Sequence, residues 1–180
     1  GFDGDIVYVD VTAATDPAKK FHLDVIQNDG RIVTANKNPI SRFDYDTYHA
    51  LTADPKRYGY SATTMAGLGA VPWISERVTT GDRIQEMTAS LSGTVGYVTD
   101  QLTRGKKLSE AIRTARSKGY TEPDFRDDLN GVDVARKLVI LAREAGYRVD
   151  MNDIDISTFL LGEYFAISDS EVCLGEIEKR

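Results

Sequence analysis

The sequence predicts an α+β protein, a mixed sheet covered by helices and led by a strand-helix-strand unit. Three observations carry this. Residues 6–11 (IVYVDV) and 32–35 (IVTA) are short apolar runs of strand length. Between them, Asp16 and Pro17 mark a helix start, and Phe21, Val25 and Ile26 recur at helical spacing up to the Asn28-Asp29-Gly30 stop. Beyond residue 93 the apolar period is helical in three successive segments.

The first unit, strand, helix and strand with short links, reads as a βαβ unit, nearly always right-handed and parallel, which gathers functional groups at the strand carboxyl ends, Thr12-Ala13 and Asn36-Lys37. A short helix is expected over 44–51 and a strand over 58–64. A glycine-rich bend follows at 66–70, then a helix over 72–79, a turn at Gly81-Asp82 and a strand over 83–89. The later helices are expected over 94–102, 108–118 and 131–145, the last closed by Gly146 and burying Val134, Leu138, Leu141 and Ala142. The tail from Met151 has no clear period. The lead-in Gly1–Asp5 offers one short turn before the first strand, so the chain reads as beginning inside a fold and lacking an upstream part.

Composition narrows the function. A 180-residue chain with 41% hydrophobic residues can bury a core, while a net charge of −6 and a pI near 5.0 argue against a nucleic-acid partner. A small-molecule partner is expected instead. The single Cys173 cannot close an internal disulfide and lies in a polar tail, a poor place for a nucleophile. His22 and His49 have no companions at metal-ligand spacing. No apolar run reaches membrane-span length and no leader pattern is present, so the expected location is the cytoplasm with no membrane partner.

Three segments hold candidate chemistry. The densest is 119–137 (GYTEPDFRDDLNGVDVARK), in which five carboxylates precede Lys137, and Asp133 lies four residues before it on one helical face. One reading is a solvated acidic loop, a capped helix and a surface ion pair. The other is a set of carboxylates holding an ammonium group while the lysine faces a carbonyl, as an amino-acid substrate requires. The second segment, 33–37 (VTANK), puts Lys37 just past a buried strand, where it is either a surface lysine with a buried stem or a cofactor contact. The third, 91–97 (LSGTVGY), opens a helix with small residues, suited to close packing or to an anion. The stretch 67–72 (GLGAVP) ends in Pro and has no acidic residue at the right distance, so it is not a dinucleotide loop.

Taken together, the segments 33–37, 91–94 and 119–137 resemble the signature segments of homoserine dehydrogenases, in the family's order and approximate spacing. The resemblance runs from the first strand to about Asp155. It implies that residues 1–40 are the last βαβ part of a Rossmann-type nucleotide-binding domain, and that 41–180 form the substrate-binding and dimerisation domain. The implied activity is the NAD- or NADP-dependent interconversion of aspartate 4-semialdehyde and homoserine, in a homodimer serving threonine, methionine and isoleucine synthesis.

The resemblance also implies residue roles. Lys137 donates the proton to the aldehyde oxygen; Glu122 and Asp133 bind the substrate amino group, with Asp127 and Asp128 around the same pocket. Lys37, lying between cofactor and substrate, is a second catalytic residue and a cofactor contact, and Thr12 and Gly119 also contact the cofactor. The family's monovalent cation (sodium) site maps onto 60–68. There Ser61 replaces the acid, leaving only the carbonyls of Thr64, Ala66 and Leu68, so cation binding is expected to be weakened. Two other readings remain: a catalytically silent binding or oligomerisation module, and a dehydrogenase for another semialdehyde. The 180-residue chain alone is expected to be inactive.

Overall fold

The computed structural model describes residues 6–179; the Gly1–Asp5 lead-in and Arg180 lie outside the described residues. By its contacts the chain forms two compact units, one of residues up to Met87 together with Arg136–Ile154, the other of Thr88–Ala135 with Asp155–Arg180. These are divisions by packing, whereas the 1–40 and 41–180 assignment is one by role.

The first unit opens with β1 (Val7–Asp10), α1 (Asp16–Gln27) and β2 (Arg31–Thr34). The two strands are parallel, with Val7 opposite Arg31 and Asp10 opposite Thr34, as the short links require. The helix α1 buries Ala18, His22 and Val25, one apolar stripe with a histidine in it. The helices α2 (Lys37–Arg42) and α3 (Tyr45–Thr52) follow, capped by the side chains of Asn36 and Asp44. The strand β3 (Tyr58–Gly59) joins β2 in parallel, giving the order β1-β2-β3. Then come two 3₁₀ turns at Ser61–Thr63 and Ala66–Leu68, and α4 (Ala70–Thr79).

Three expectations are corrected here. The strand expected over 58–64 ends at Gly59, because Thr63 turns back onto the Tyr60 carbonyl with both its N–H, at 3.0 Å, and its hydroxyl, at 2.7 Å. Residues 83–89 are irregular. Ile84 and Met87 fall three apart and so on opposite faces of any strand, which leaves no face apolar enough to bury. The α+β class stands, but among the described residues the sheet is parallel throughout rather than mixed.

The second unit is helical: α5 (Gly93–Thr103), α6 (Leu108–Ser117), α7 (Arg126–Leu129), the first residues of α8 (Val132–Glu144), α9 (Gly162–Phe165) and α10 (Ser170–Glu178). Ile112, Phe125, Leu129, Leu160, Tyr164, Cys173, Leu174 and Ile177 make its main core. The tail without a clear period thus holds two helices, and Asp169 caps the second by accepting from the Glu171 and Val172 N–H groups. The rest of α8 belongs to the first unit. There buried Arg143 donates to the carbonyls of Ile40 (2.7 Å), Phe43 (2.7 Å) and Val149 (2.8 Å) and to Asp150. No helix among the described residues is long and apolar enough to cross a membrane.

Candidate active site

In the first unit the candidate residues gather at the carboxyl ends of β1 and β2. Asp10, the last residue of β1, is buried and accepts from the Thr12 N–H (2.9 Å), the Thr12 hydroxyl (2.8 Å), His22 Nε2 (2.9 Å) and Asn36 Nδ2 (3.1 Å). Burial by itself would raise its pKa, but these hydrogen bonds to the charged form outweigh it and hold the carboxyl below the usual carboxylate value. Asn36 also donates to the Ala14 carbonyl (2.8 Å) and accepts from the Asn38 N–H (3.1 Å). Lys37 therefore leaves the chain from the first turn of α2, between two asparagines whose side chains are both fixed. Asn38 donates to the Ala13 carbonyl (2.8 Å) and accepts from Arg136 of α8 (3.0 Å), the residue before Lys137. Thr12 is exposed and Lys37 half-buried. The structure thus joins the Thr12 loop, the Lys37 turn and the stretch of α8 that carries Lys137.

In the second unit the acidic run divides by role. Asp124 is spent on Arg126, whose Nε lies 2.8 Å from Oδ1, and this hydrogen bond holds the carboxyl below its ordinary pKa. Asp128 is a brace. Its carboxylate accepts from the Thr94 hydroxyl (3.1 Å) and from the Glu122 N–H (2.8 Å), which fixes the loop that presents the exposed Glu122. The Thr94 hydroxyl also lies 2.5 Å from the Tyr120 carbonyl, so the small-residue opening of α5 serves packing against this loop. Asp127 is exposed. Gly119 ends α6 in the left-handed conformation (φ 70°), its N–H donating to the Arg116 carbonyl (2.9 Å). Asp133 and Lys137 stand four residues apart on α8, on one face of one helix, both half-buried.

The 61–68 segment keeps neutral oxygens only. Ser61, Ala66 and Leu68 are exposed, and Met65 and Ala66 adopt left-handed backbone (φ 59° and 47°). Pro72 has no N–H to offer the Leu68 carbonyl, and the Thr64 hydroxyl is buried without a hydrogen-bond partner. No group of three or more His, Cys, Asp or Glu side chains gathers among the described residues. Without a carboxylate this donor set does not fit a tight cation site.

Sequence reasoning missed His22, Tyr58 and Arg136. The signal for His22 was its place in the buried stripe of α1 with Ala18 and Val25, where a polar residue needs partners. Cys173 is buried, and burial raises its thiol pKa, in keeping with a packed rather than a reactive cysteine.

Residues 71–175 match the family model described as homoserine dehydrogenase. A chloroplastic bifunctional aspartokinase/homoserine dehydrogenase from Zea mays is 37% identical over 158 residues, 86% of this chain and 17% of that protein. A crystal structure of a Candida auris protein of unknown function aligns with a TM-score of 0.88 and 29% identity, covering 97% of this chain and 51% of that one. A hyperthermophilic archaeal homoserine dehydrogenase in complex with NADPH aligns with a TM-score of 0.69 and 25% identity, covering 83% and 48%. The chain spans less than a fifth of the length of the maize relative and about half of the two solved chains. With more than half of its residues inside the family model and the acidic run ordered around Asp128, this chain belongs to the homoserine dehydrogenase family.

Proposed function

We propose that the protein containing this chain interconverts L-aspartate 4-semialdehyde and L-homoserine with NAD or NADP, in the synthesis of threonine, methionine and isoleucine. The observation that carries this is the pairing on α8, where the Asp133 carboxylate and the Lys137 amine share one helical face. An amino-acid aldehyde carries the complementary pair, an ammonium and a carbonyl oxygen.

Asp133 and Glu122 hold the substrate ammonium, with Asp128 keeping the Glu122 loop in place and Asp127 at its rim. Lys137 places a positive charge where negative charge develops on the aldehyde oxygen and gives up its proton there. In the reverse direction it takes that proton back. The nicotinamide, when bound, supplies or accepts the hydride at the aldehyde carbon. The strand ends suit such a group: Thr12, exposed with its hydroxyl proton given to Asp10, and the Lys37 amine, a cationic donor, stand at the carboxyl edge of a parallel sheet. Gly119 offers a backbone contact. NADPH in the archaeal relative supports NADP as the cofactor.

In this reading residues 1–40 belong to the nucleotide-binding part and 41–180 to the substrate and dimerisation part of a cytoplasmic homodimer. No step passes through a cation. The carboxylates tied to named loop and helix positions favour an enzyme over a silent module.

The test is homoserine-dependent reduction of NAD or NADP by the full-length protein, wild type beside Asp133→Ala. The expected result is turnover with a homoserine KM raised about tenfold or more in the variant, since a charge-assisted hydrogen bond is lost. An unchanged KM contradicts the assigned amino-group site.

A further inference from the structure

At the carboxyl edge of the sheet, a buried polar chain lies behind the residues assigned to the cofactor. His22 is fully buried in the middle of α1, with Nδ1 2.6 Å from the Tyr58 hydroxyl and Nε2 2.9 Å from Asp10 Oδ2. An ionised carboxylate only accepts, so Nε2 carries the imidazole proton and Nδ1 accepts from the Tyr58 O–H. The chain therefore runs from Tyr58 through His22 to Asp10, with each donor committed to one acceptor. It lies between α1, β1 and β3, whose titratable groups at His22 are Asp10 and Tyr58.

Asp10 turns this one-dimensional chain into a fixed plane. With Oδ2 held by His22 and Asn36, its other oxygen faces the Thr12 N–H and hydroxyl. Asn36 then bridges to Ala14 and, through the Asn38 N–H, to the start of α2. A single carboxylate thus sets two strand-end loops, one carrying Thr12 and the other Lys37. Without the His22 donor, that carboxylate would keep only its bonds to Thr12 and Asn36, the two groups it positions, and would lose the bond that anchors it to α1.

We propose that Asp10, His22 and Asn36 are positioning residues that fix Thr12 and Lys37 toward a nicotinamide dinucleotide. The inference rests on the assignment of Thr12 and Lys37 to cofactor binding made above. All three positioning residues are buried, and they act by denying the two loops any other arrangement.

The test uses the full-length protein and its dissociation constant for NADPH, read from cofactor fluorescence. Two substitutions at one position separate positioning from packing. The amide nitrogen of a glutamine reaches about as far as Nε2, so His22→Gln keeps the donor to Asp10, whereas His22→Asn stands in for Nδ1 and loses it. Asn36→Ser keeps a capping oxygen for α2 but removes the donor to Asp10. His22→Asn and Asn36→Ser are expected to weaken NADPH binding about tenfold, and His22→Gln to stay within about twofold of wild type. If His22→Asn does not fold, Asn36→Ser carries the test. Wild-type affinity in the folded variants overturns the inference and leaves the proposed function standing. Equal losses in His22→Gln and His22→Asn overturn the role of the Asp10 link. A wild-type protein that binds neither NADPH nor NADH overturns the proposed function and this inference with it.

Discussion

The carboxylates of this chain are alike in the sequence and have different fates in the structure. Asp124 is consumed by Arg126, Asp128 by the Glu122 and Thr94 donors, and Asp10 by four donors at once. Burial dominates at His22 and holds its pKa below the ordinary 6.5 although Asp10 pulls it upward. Below pH 6.5 the unfolded chain therefore binds a proton at His22 that the folded chain refuses. The neutral histidine's stabilising contribution is complete above that pH and is lost as pH falls. Asp10, held below 3.8, adds a second loss only at stronger acid. Melting temperatures taken from pH 7 to pH 5 should fall in the wild type and fall less in His22→Gln. Parallel curves would contradict the buried neutral histidine. The acidic run and the two lysines were legible because their chemistry lies in consecutive residues. His22 was not, because its partners come from β1 and from β3, 12 and 36 residues away.

Elements with a strong period appear in the structure within a residue or two of where the sequence puts them. The first βαβ unit, α5, α6 and α8 are such cases, since each has a full apolar face to bury. The misses are elements decided by pairing or by caps. Residues 83–89 gain no strand neighbour, and α2 exists in part because Asn36 caps six residues that carry Pro39 inside them. The start of α8 shows how tightly an element end can be specified. Gly131 has φ 78°, and a Cβ there would lie 2.7 Å from Ile156 Cγ2 and 3.3 Å from the Ser157 carbonyl. Gly131→Ala should therefore cost about 1–3 kcal/mol in urea unfolding, from a left-handed backbone and a contact that must give way. A cost near zero would show that this turn relaxes freely. At the other end of α8, Arg143 satisfies three carbonyls from inside the first unit, which ties α2 and the loop after α8 to one side chain.

At the scale of the molecule, the packing units and the functional parts are drawn along different lines. Asp133 and Lys137 stand four residues apart on α8, so their shared face depends on that helix staying unbroken. Three parallel strands and their helices supply the Thr12 and Lys37 edge, and a helical core built on Phe125 and Leu174 supplies the Glu122 loop. The proposed proton transfer rests on one amine, that of Lys137. The most direct measurement is homoserine oxidation by the full-length protein with both cofactors, wild type beside Lys137→Ala. The expected result is wild-type turnover with kcat lower by about 10²–10⁴-fold in the variant, the scale of a lost general acid-base group. A variant that turns over at the wild-type rate would contradict the assignment of proton transfer to Lys137.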